Sequence, residues 1–181
     1  MMQVDSEEIQ RNMEEFQTHC LDNEPKLRSF LVSPNKAHIT VLVLHVEDDR
    51  LEEAKSIFQH CGDHFSNDES FEVEFTGVGA FGNRVLFAKP SGNIERIARL
   101  SETFQAKYSE QNFDCEYKPN PHLTLLKVKA KRKALKKIPG SSYDGLEDYR
   151  FGIQSFKTVQ LLSMTKPVAE VLYNNNNNII A

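Results

Sequence analysis

Two tripeptides in this chain repeat one pattern: His38-Ile39-Thr40 ahead of Val-Leu-Val-Leu, and His122-Leu123-Thr124 ahead of Leu-Leu-Lys-Val. Each reads as a strand that opens on a histidine and carries a hydroxyl two residues on. Side chains on a strand alternate between faces, so imidazole and hydroxyl project from the same side of each segment. An imidazole titrates near neutrality, so of two held together one can be neutral and the other protonated. The neutral ring would take a proton from water or from a ribose hydroxyl, and the protonated ring would give one to a leaving oxygen. Thr40 and Thr124 would donate hydrogen bonds to the non-bridging oxygens of a phosphate ester, where negative charge builds. Two such rings titrate as a coupled pair, which leaves the acid and base roles unassigned at this level. The chemistry calls for no metal and no cofactor. His38 and His122 stand 84 residues apart, so only folding can bring them together.

Other residues invite weaker readings. Phe81, between Gly79 and Gly82, could stack on a base or pack into the core, and Arg84 could face a phosphate or end in solvent. His45 lies an odd number of residues after His38 on the same expected strand and so faces the other way, at the core edge or in solvent. His60 and His64 have i, i+4 spacing, but Gly62 is expected to end their helix, and no cysteine or carboxylate pattern of zinc-site spacing accompanies them. The basic block Lys127–Lys137 (KVKAKRKALKK) could steer a phosphate-rich substrate, although a solvated helix or loop is the plainer reading. Cys20, Cys61 and Cys115 show no pairing pattern and read as reduced thiols. The five asparagines 174–178 read as a loop or frayed end.

The elements that must position these residues follow a repeated plan. Ile9, Met13, Phe16 and Cys20 predict a helix over 6–21 behind an Asp5 or Ser6 cap. The first His-x-Thr strand comes next, then a helix over 49–61 closed by Gly62. Residues 70–76 alternate Phe71, Val73 and Phe75 with polar side chains, as a half-buried strand does. Gly77, Gly79 and Gly82 mark a turn-rich stretch before extended structure resumes at 84–88. A helix over 93–108, with Ile94, Ile97, Ala98, Leu100, Phe104 and Tyr108 mostly on one side, leads through a short connection to the second His-x-Thr strand. Residues 155–164 and 167–173 predict a closing hairpin. Each half holds a helix and then a His-x-Thr strand, which predicts two related lobes facing each other. By that symmetry a strand precedes the first helix; either residues 1–4 serve as a stub strand, or the natural domain starts earlier.

A chain of 181 residues with 39% hydrophobic side chains is long enough for one domain with a real core. Its net charge of −4 argues against indiscriminate attraction to nucleic acid. No signal peptide and no apolar run long enough to span a bilayer is visible. Together with the unpaired thiols, this predicts an intracellular protein, cytoplasmic or nuclear, monomeric and without a membrane partner.

The paired His-x-Thr strands, with Pro121 directly before the second, resemble the 2H phosphoesterase superfamily. Residues 77–87 (GVGAFGNRVLF), 121–124 (PHLT), 136–138 (KKI), 150–152 (RFG) and 162–164 (LSM) are further similar to the nucleotide-binding central domain of the A-kinase anchoring protein 7/18 group. The resemblance implies an α+β, bilobal, LigT-like fold over residues 1–173, its first strand shortened, with two antiparallel sheets facing a central cleft and helices outside. Residues 174–181 form an Asn-rich end. It also implies metal-independent cleavage of an RNA end, a 2′-5′-linked oligonucleotide or a 2′,3′-cyclic phosphate, with His38 and His122 as the acid–base pair and Thr40 and Thr124 on the phosphate. The alternative is a module that binds an AMP-like nucleotide without turnover, as sensor or adaptor. Phe81, Arg84 and Tyr117 are the implied nucleotide contacts. Relatives often place an aromatic residue two before the proline of the second motif; here Pro119 stands there and Tyr117 is two residues further out. Kinase anchoring is not carried over, because relatives use an amphipathic helix outside this domain and none follows Tyr173.

Overall fold

Apolar side chains recurring every three to four positions produce, among the described residues, three α-helices, α1 (Glu7–Asn23), α2 (Leu51–Ser66) and α3 (Ile94–Glu110). The structure is a computed structural model and describes residues 1–66, 69–117, 120–128, 135–163 and 171–174. Helix α1 buries Ile9, Met13, Phe16 and Cys20, as their spacing predicts. The expected Asp5 or Ser6 cap is replaced by a distant side chain. Gln154 accepts from the Asp5 and Ser6 amides, each at 2.9 Å, and donates to the Asp5 carboxylate at 2.8 Å.

Helix α2 runs through Gly62, correcting the expected stop. A mid-helix glycine costs about 1 kcal/mol, and burial of Ala54, Phe58 and Cys61 on the same helix outweighs it. Phe58 stacks on Phe104 of α3 with ring centroids 5.2 Å apart, and the Tyr108 hydroxyl donates to the Ala54 carbonyl at 2.9 Å.

Among the described residues, ten strands accompany the helices. They are β1 (Met2–Gln3), β2 (His38–Ile39), β3 (Leu42–His45), β4 (Phe71–Phe81), β5 (Val85–Gly92), β6 (Asp114–Tyr117), β7 (Leu123–Lys127), β8 (Arg150–Phe156), β9 (Gln160–Leu162) and β10 (Val171–Asn174). All pair antiparallel: a four-stranded sheet in the order β7-β5-β4-β8, and the pairs β1-β2, β3-β6 and β9-β10. The leading residues do supply a stub strand, with Met2 opposite Ile39 and both buried.

Three expectations about strands change. The glycine-rich stretch is not a turn: β4 continues through Gly77 and Gly79 to Phe81, and the reversal is confined to Gly82–Arg84. There Gly82 and Asn83 both take positive φ (54° and 55°) and the Arg84 amide donates to the Phe81 carbonyl at 3.0 Å, the type I′ geometry that suits twisted hairpins. Strands β6 and β8 come from segments with no alternation strong enough to mark them. Residues 155–156 belong to β8, so the closing hairpin shrinks to β9 and β10. Residues 164 and 167–170 of that hairpin, 129–134 of the basic block and asparagines 175–178 lie outside the described residues.

The lobes do not follow the order of the chain. α1 lies on the core face of the four-stranded sheet: Asn12 donates to the Phe151 carbonyl at 2.8 Å, and the Phe16 and Phe151 rings meet at 5.4 Å. α3 packs on β3 and β6 instead. α1 thus lies on β8 from the other half of the chain, and α3 lies on β6, next to it in sequence, together with β3 from the first half, so the two lobes are not the two halves expected from sequence.

Candidate active site

Reciprocal pairing brings the two motifs together. Strand β3, which runs on from His38, pairs with β6, which leads towards His122: Leu42 stands opposite Tyr117 and His45 opposite Asp114. In return, the residues running on from His122 are paired by those leading towards His38. The Val32 amide donates to the Leu125 carbonyl at 3.0 Å, and Leu31 bridges to Leu126. Strand β2 packs directly on β7. The imidazoles end close enough that a charge on His122 lowers the proton affinity of His38.

Both rings are held by the same local device. Nδ1 of His38 lies 2.9 Å from the Lys36 carbonyl, and Nδ1 of His122 lies 2.8 Å from the Asn120 carbonyl. A carbonyl can only accept, so Nδ1 keeps its proton and Nε2 is the atom left for chemistry in each ring. Burial is the main cause that pushes His38 below the ordinary imidazole value of 6.5. Its Lys36 bond opposes this, while positive charges at the chain's amino terminus, His122 and Lys127 add to it.

Thr40 and Thr124 are half-buried, and among the described residues neither hydroxyl makes a hydrogen bond to protein. Thr40 follows β2 immediately, and its neighbour Val41 is fixed by the buried Ser101 hydroxyl, which donates to the Val41 carbonyl at 2.6 Å. The strand is interrupted between β2 and β3 here, so strand parity does not carry from His38 to His45, which is exposed.

His122 rests on two phenyl rings. Phe81 meets it edge-on at 5.0 Å, Phe87 meets it at 5.3 Å, and Phe81 and Phe87 stack on each other at 4.4 Å. Phe81 remains 41% exposed, so it is neither in the core nor free of the histidine. The sequence did not mark Phe87, and marked Gly79, directly across from it, only as a turn residue, yet a Cβ on Gly79 would lie 2.5 Å from Phe87 Cζ. Gln17 was also missed. Buried in α1, it donates to the Val32 carbonyl at 2.7 Å and to the Leu125 carbonyl at 3.0 Å, tying the segment that leads to His38 to the strand that runs on from His122. No local signal places Phe87 opposite Gly79: a two-residue turn at Gly82-Asn83 would set Leu86 there, whereas the hairpin pairs Phe81 with Val85.

Arg84 sits exposed at the tip of the β4–β5 hairpin, and Tyr117 ends β6 beside Leu42. A shallow groove of about 400 Å³ runs along the outer side of α1, lined by Arg11, Glu14, Glu15, Thr18, His19 and Asp22. It holds none of the residues above. No group of three or more His, Cys, Asp and Glu side chains among the described residues is arranged to hold a metal ion. No described helix is long and apolar enough to cross a membrane.

This geometry has known counterparts. The family model for the AKAP7 2′5′ RNA ligase-like domain matches residues 1–179. The chain belongs to that family. It is 26% identical over 183 residues to human A-kinase anchor protein 7 isoform gamma, an alignment that takes in 90% of this chain and 50% of the relative, so the chain spans about half that protein's length. Among solved structures, one described as a phosphoesterase matches with a TM-score of 0.65 at 12% identity, over 96% of this chain and 93% of the other. LigT of E. coli, in its complex with 3′-AMP, matches at 0.62 and 12% identity over 96% and 92%. The fold of this family member is therefore the α+β, LigT-like fold of 2H phosphoesterases, with antiparallel sheets facing a cleft.

Proposed function

We propose that this chain is a metal-independent phosphodiesterase acting on a 2′,3′-cyclic phosphate, a 2′-5′-linked oligonucleotide or a related RNA end. The observation that carries the reading is the matched pair of Nδ1–carbonyl bonds, which leaves two Nε2 atoms as the reactive positions of neighbouring rings. One Nε2 takes the proton of an attacking water or ribose hydroxyl, and the Nε2 of the other, protonated ring gives its proton to the leaving ribose oxygen. Thr40 and Thr124 hold the non-bridging oxygens as charge develops on them. Phe81, with its open face, supports stacking of a base beside the reacting phosphate.

A second reading is a nucleotide-binding module with no turnover. It is favoured by the LigT complexes with 3′-AMP, NADP+ and ATP, which present nucleotides as ligands of this fold, and by a relative named for anchoring rather than catalysis.

Cleavage of 2′-5′-linked oligoadenylate in EDTA separates the two. The enzyme reading expects turnover with a bell-shaped pH profile, abolished by His38→Ala or His122→Ala and slowed about 10²-fold by Thr40→Ala or Thr124→Ala. Folded wild-type protein that binds 3′-AMP but turns over neither oligoadenylate nor a 2′,3′-cyclic phosphate rejects catalysis in favour of binding.

A further inference from the structure

We infer that Lys136 and Lys137, with Arg84, form a cationic shelf at the tip of the β4–β5 hairpin that holds a nucleic-acid strand by phosphates beyond the reacting one. The inference rests on the phosphate-handling reading above and adds a second contact region on the substrate, outside the imidazole pair.

The hairpin tip is where the cleft meets the basic block. Phe81 pairs with Val85 across the hairpin, which leaves Gly82, Asn83 and Arg84 as its tip. Phe81 is also the ring that meets His122 edge-on at 5.0 Å. The tip therefore begins one residue beyond a side chain in contact with the His122 imidazole. The basic block is fastened to this tip on both sides. The Val128 amide donates to the Arg84 carbonyl at 2.8 Å, and the Ile138 amide donates to the Asn83 carbonyl at 2.7 Å.

The second of these bonds gives a lysine pair a fixed address. Ile138 is buried and Leu135 packs against the core, so Lys136 and Lys137 are held between two anchored apolar residues. Both lysines are exposed, as is Arg84. None of the three has a carboxylate partner among the described residues. Unpaired cations thus gather at one turn of a chain whose net charge is −4. A solvated charge run needs no such anchoring.

What the shelf can hold follows from its place. A mononucleotide with its phosphate at the imidazoles and its base on Phe81 has no further phosphate to offer the tip. A strand that continues past Phe81 presents a charged phosphate at every nucleotide. A lysine ammonium is a compact cation with three donors, suited to those oxygens without reading the base. The contribution of the shelf is then ionic: each phosphate neutralised on a single strand adds about 0.7 to the steepness of log affinity against log salt.

The test compares whole-chain wild type, Lys136→Ala/Lys137→Ala and Lys136→Arg/Lys137→Arg by calorimetric titration between about 50 and about 200 mM salt. One probe is 3′-AMP. The other is a 2′-O-methyl oligoadenylate of about ten nucleotides ending in a 3′-phosphate, which has no 2′-hydroxyl to attack its own phosphates. Wild type is expected to bind the oligonucleotide more tightly than 3′-AMP. Lys136→Ala/Lys137→Ala weakens oligonucleotide binding about 10-fold at the lower salt, makes its salt slope shallower by about 1.4 and leaves 3′-AMP affinity unchanged. Lys136→Arg/Lys137→Arg keeps wild-type behaviour. Four results overturn the proposal and leave the phosphate-handling reading intact: wild type that binds both probes equally, oligonucleotide affinity unchanged in Lys136→Ala/Lys137→Ala, equal losses for both probes, or an undiminished salt slope. Wild-type protein that binds neither probe and does not cleave 2′-5′-linked oligoadenylate overturns both.

Discussion

Gly79→Ala tests whether the phenyl pair under His122 positions that ring. The backbone at Gly79 lies outside the left-handed region, so alanine meets no conformational penalty there. Its methyl would lie 2.5 Å from Phe87 Cζ and 2.7 Å from Cε2, about 1 Å inside ordinary carbon–carbon contact. The Phe87 ring has to retreat by that amount. It stacks on Phe81 at 4.4 Å and touches His122 at 5.3 Å, so the displacement is passed to the imidazole. Overpacking of this kind costs about 1–3 kcal/mol of stability, and a misplacement of about 1 Å in a reacting group costs about 10²-fold in rate. Urea unfolding reads the first and kcat/KM on 2′-5′-linked oligoadenylate the second. The decisive arm repeats Gly79→Ala in a Phe87→Ala background, where the clash partner is gone and the stability loss is expected to fall within about 0.5 kcal/mol of zero. A Gly79→Ala variant indistinguishable from wild type, or one whose losses persist without Phe87, refutes the positioning argument.

Further outcomes follow from burial and from the stitching of α1. His38 has a folded-state pKa below its unfolded 6.5, so the unfolded chain binds more protons between those two values. Its stabilising contribution is complete above pH 6.5 and is lost as pH falls through the folded value. Urea midpoints measured from pH 7.5 down to 5 are expected to fall less steeply for His38→Gln than for wild type, and parallel curves would contradict the assignment. Gln17→Ala strips the Val32 carbonyl of its donor at 2.7 Å and opens a buried site. It is expected to cost about 2 kcal/mol by denaturant unfolding, and a change under 0.5 kcal/mol would mean that the segment before His38 is held by its other contacts.

What the sequence disclosed was what short-range spacing can encode. The histidine and threonine of each motif are neighbours two apart, and the apolar stripes of α1 and α3 repeat locally, so both could be read residue by residue. Strand partners are a different matter. Nothing within residues 114–117 states that they pair with 42–45, and β8 depends on a register with β4 some eighty residues away. Gly62 looked like a stop because propensity was weighed without the burial of Phe58 and Cys61 that overrules it. Strand β7 carries one residue more than β5, at Leu125, and that bulge was invisible for the same reason: alternation counts residues along one strand, whereas a bulge is a mismatch between two. The phenyl pair under His122 and the glycine that makes room for it share this origin.

The core of this chain is closed by segments from its two ends: α1 buries its apolar face on β8, near the other end of the chain, while α3 lies on β6 and on β3, which β6 draws in from the first half. The imidazole pair depends on such long-range pairings, since β3 meets β6 and Leu31 meets Leu126. Contacts of such sequence separation make for slow, cooperative folding, and they tie the appearance of the cleft to the integrity of the whole chain.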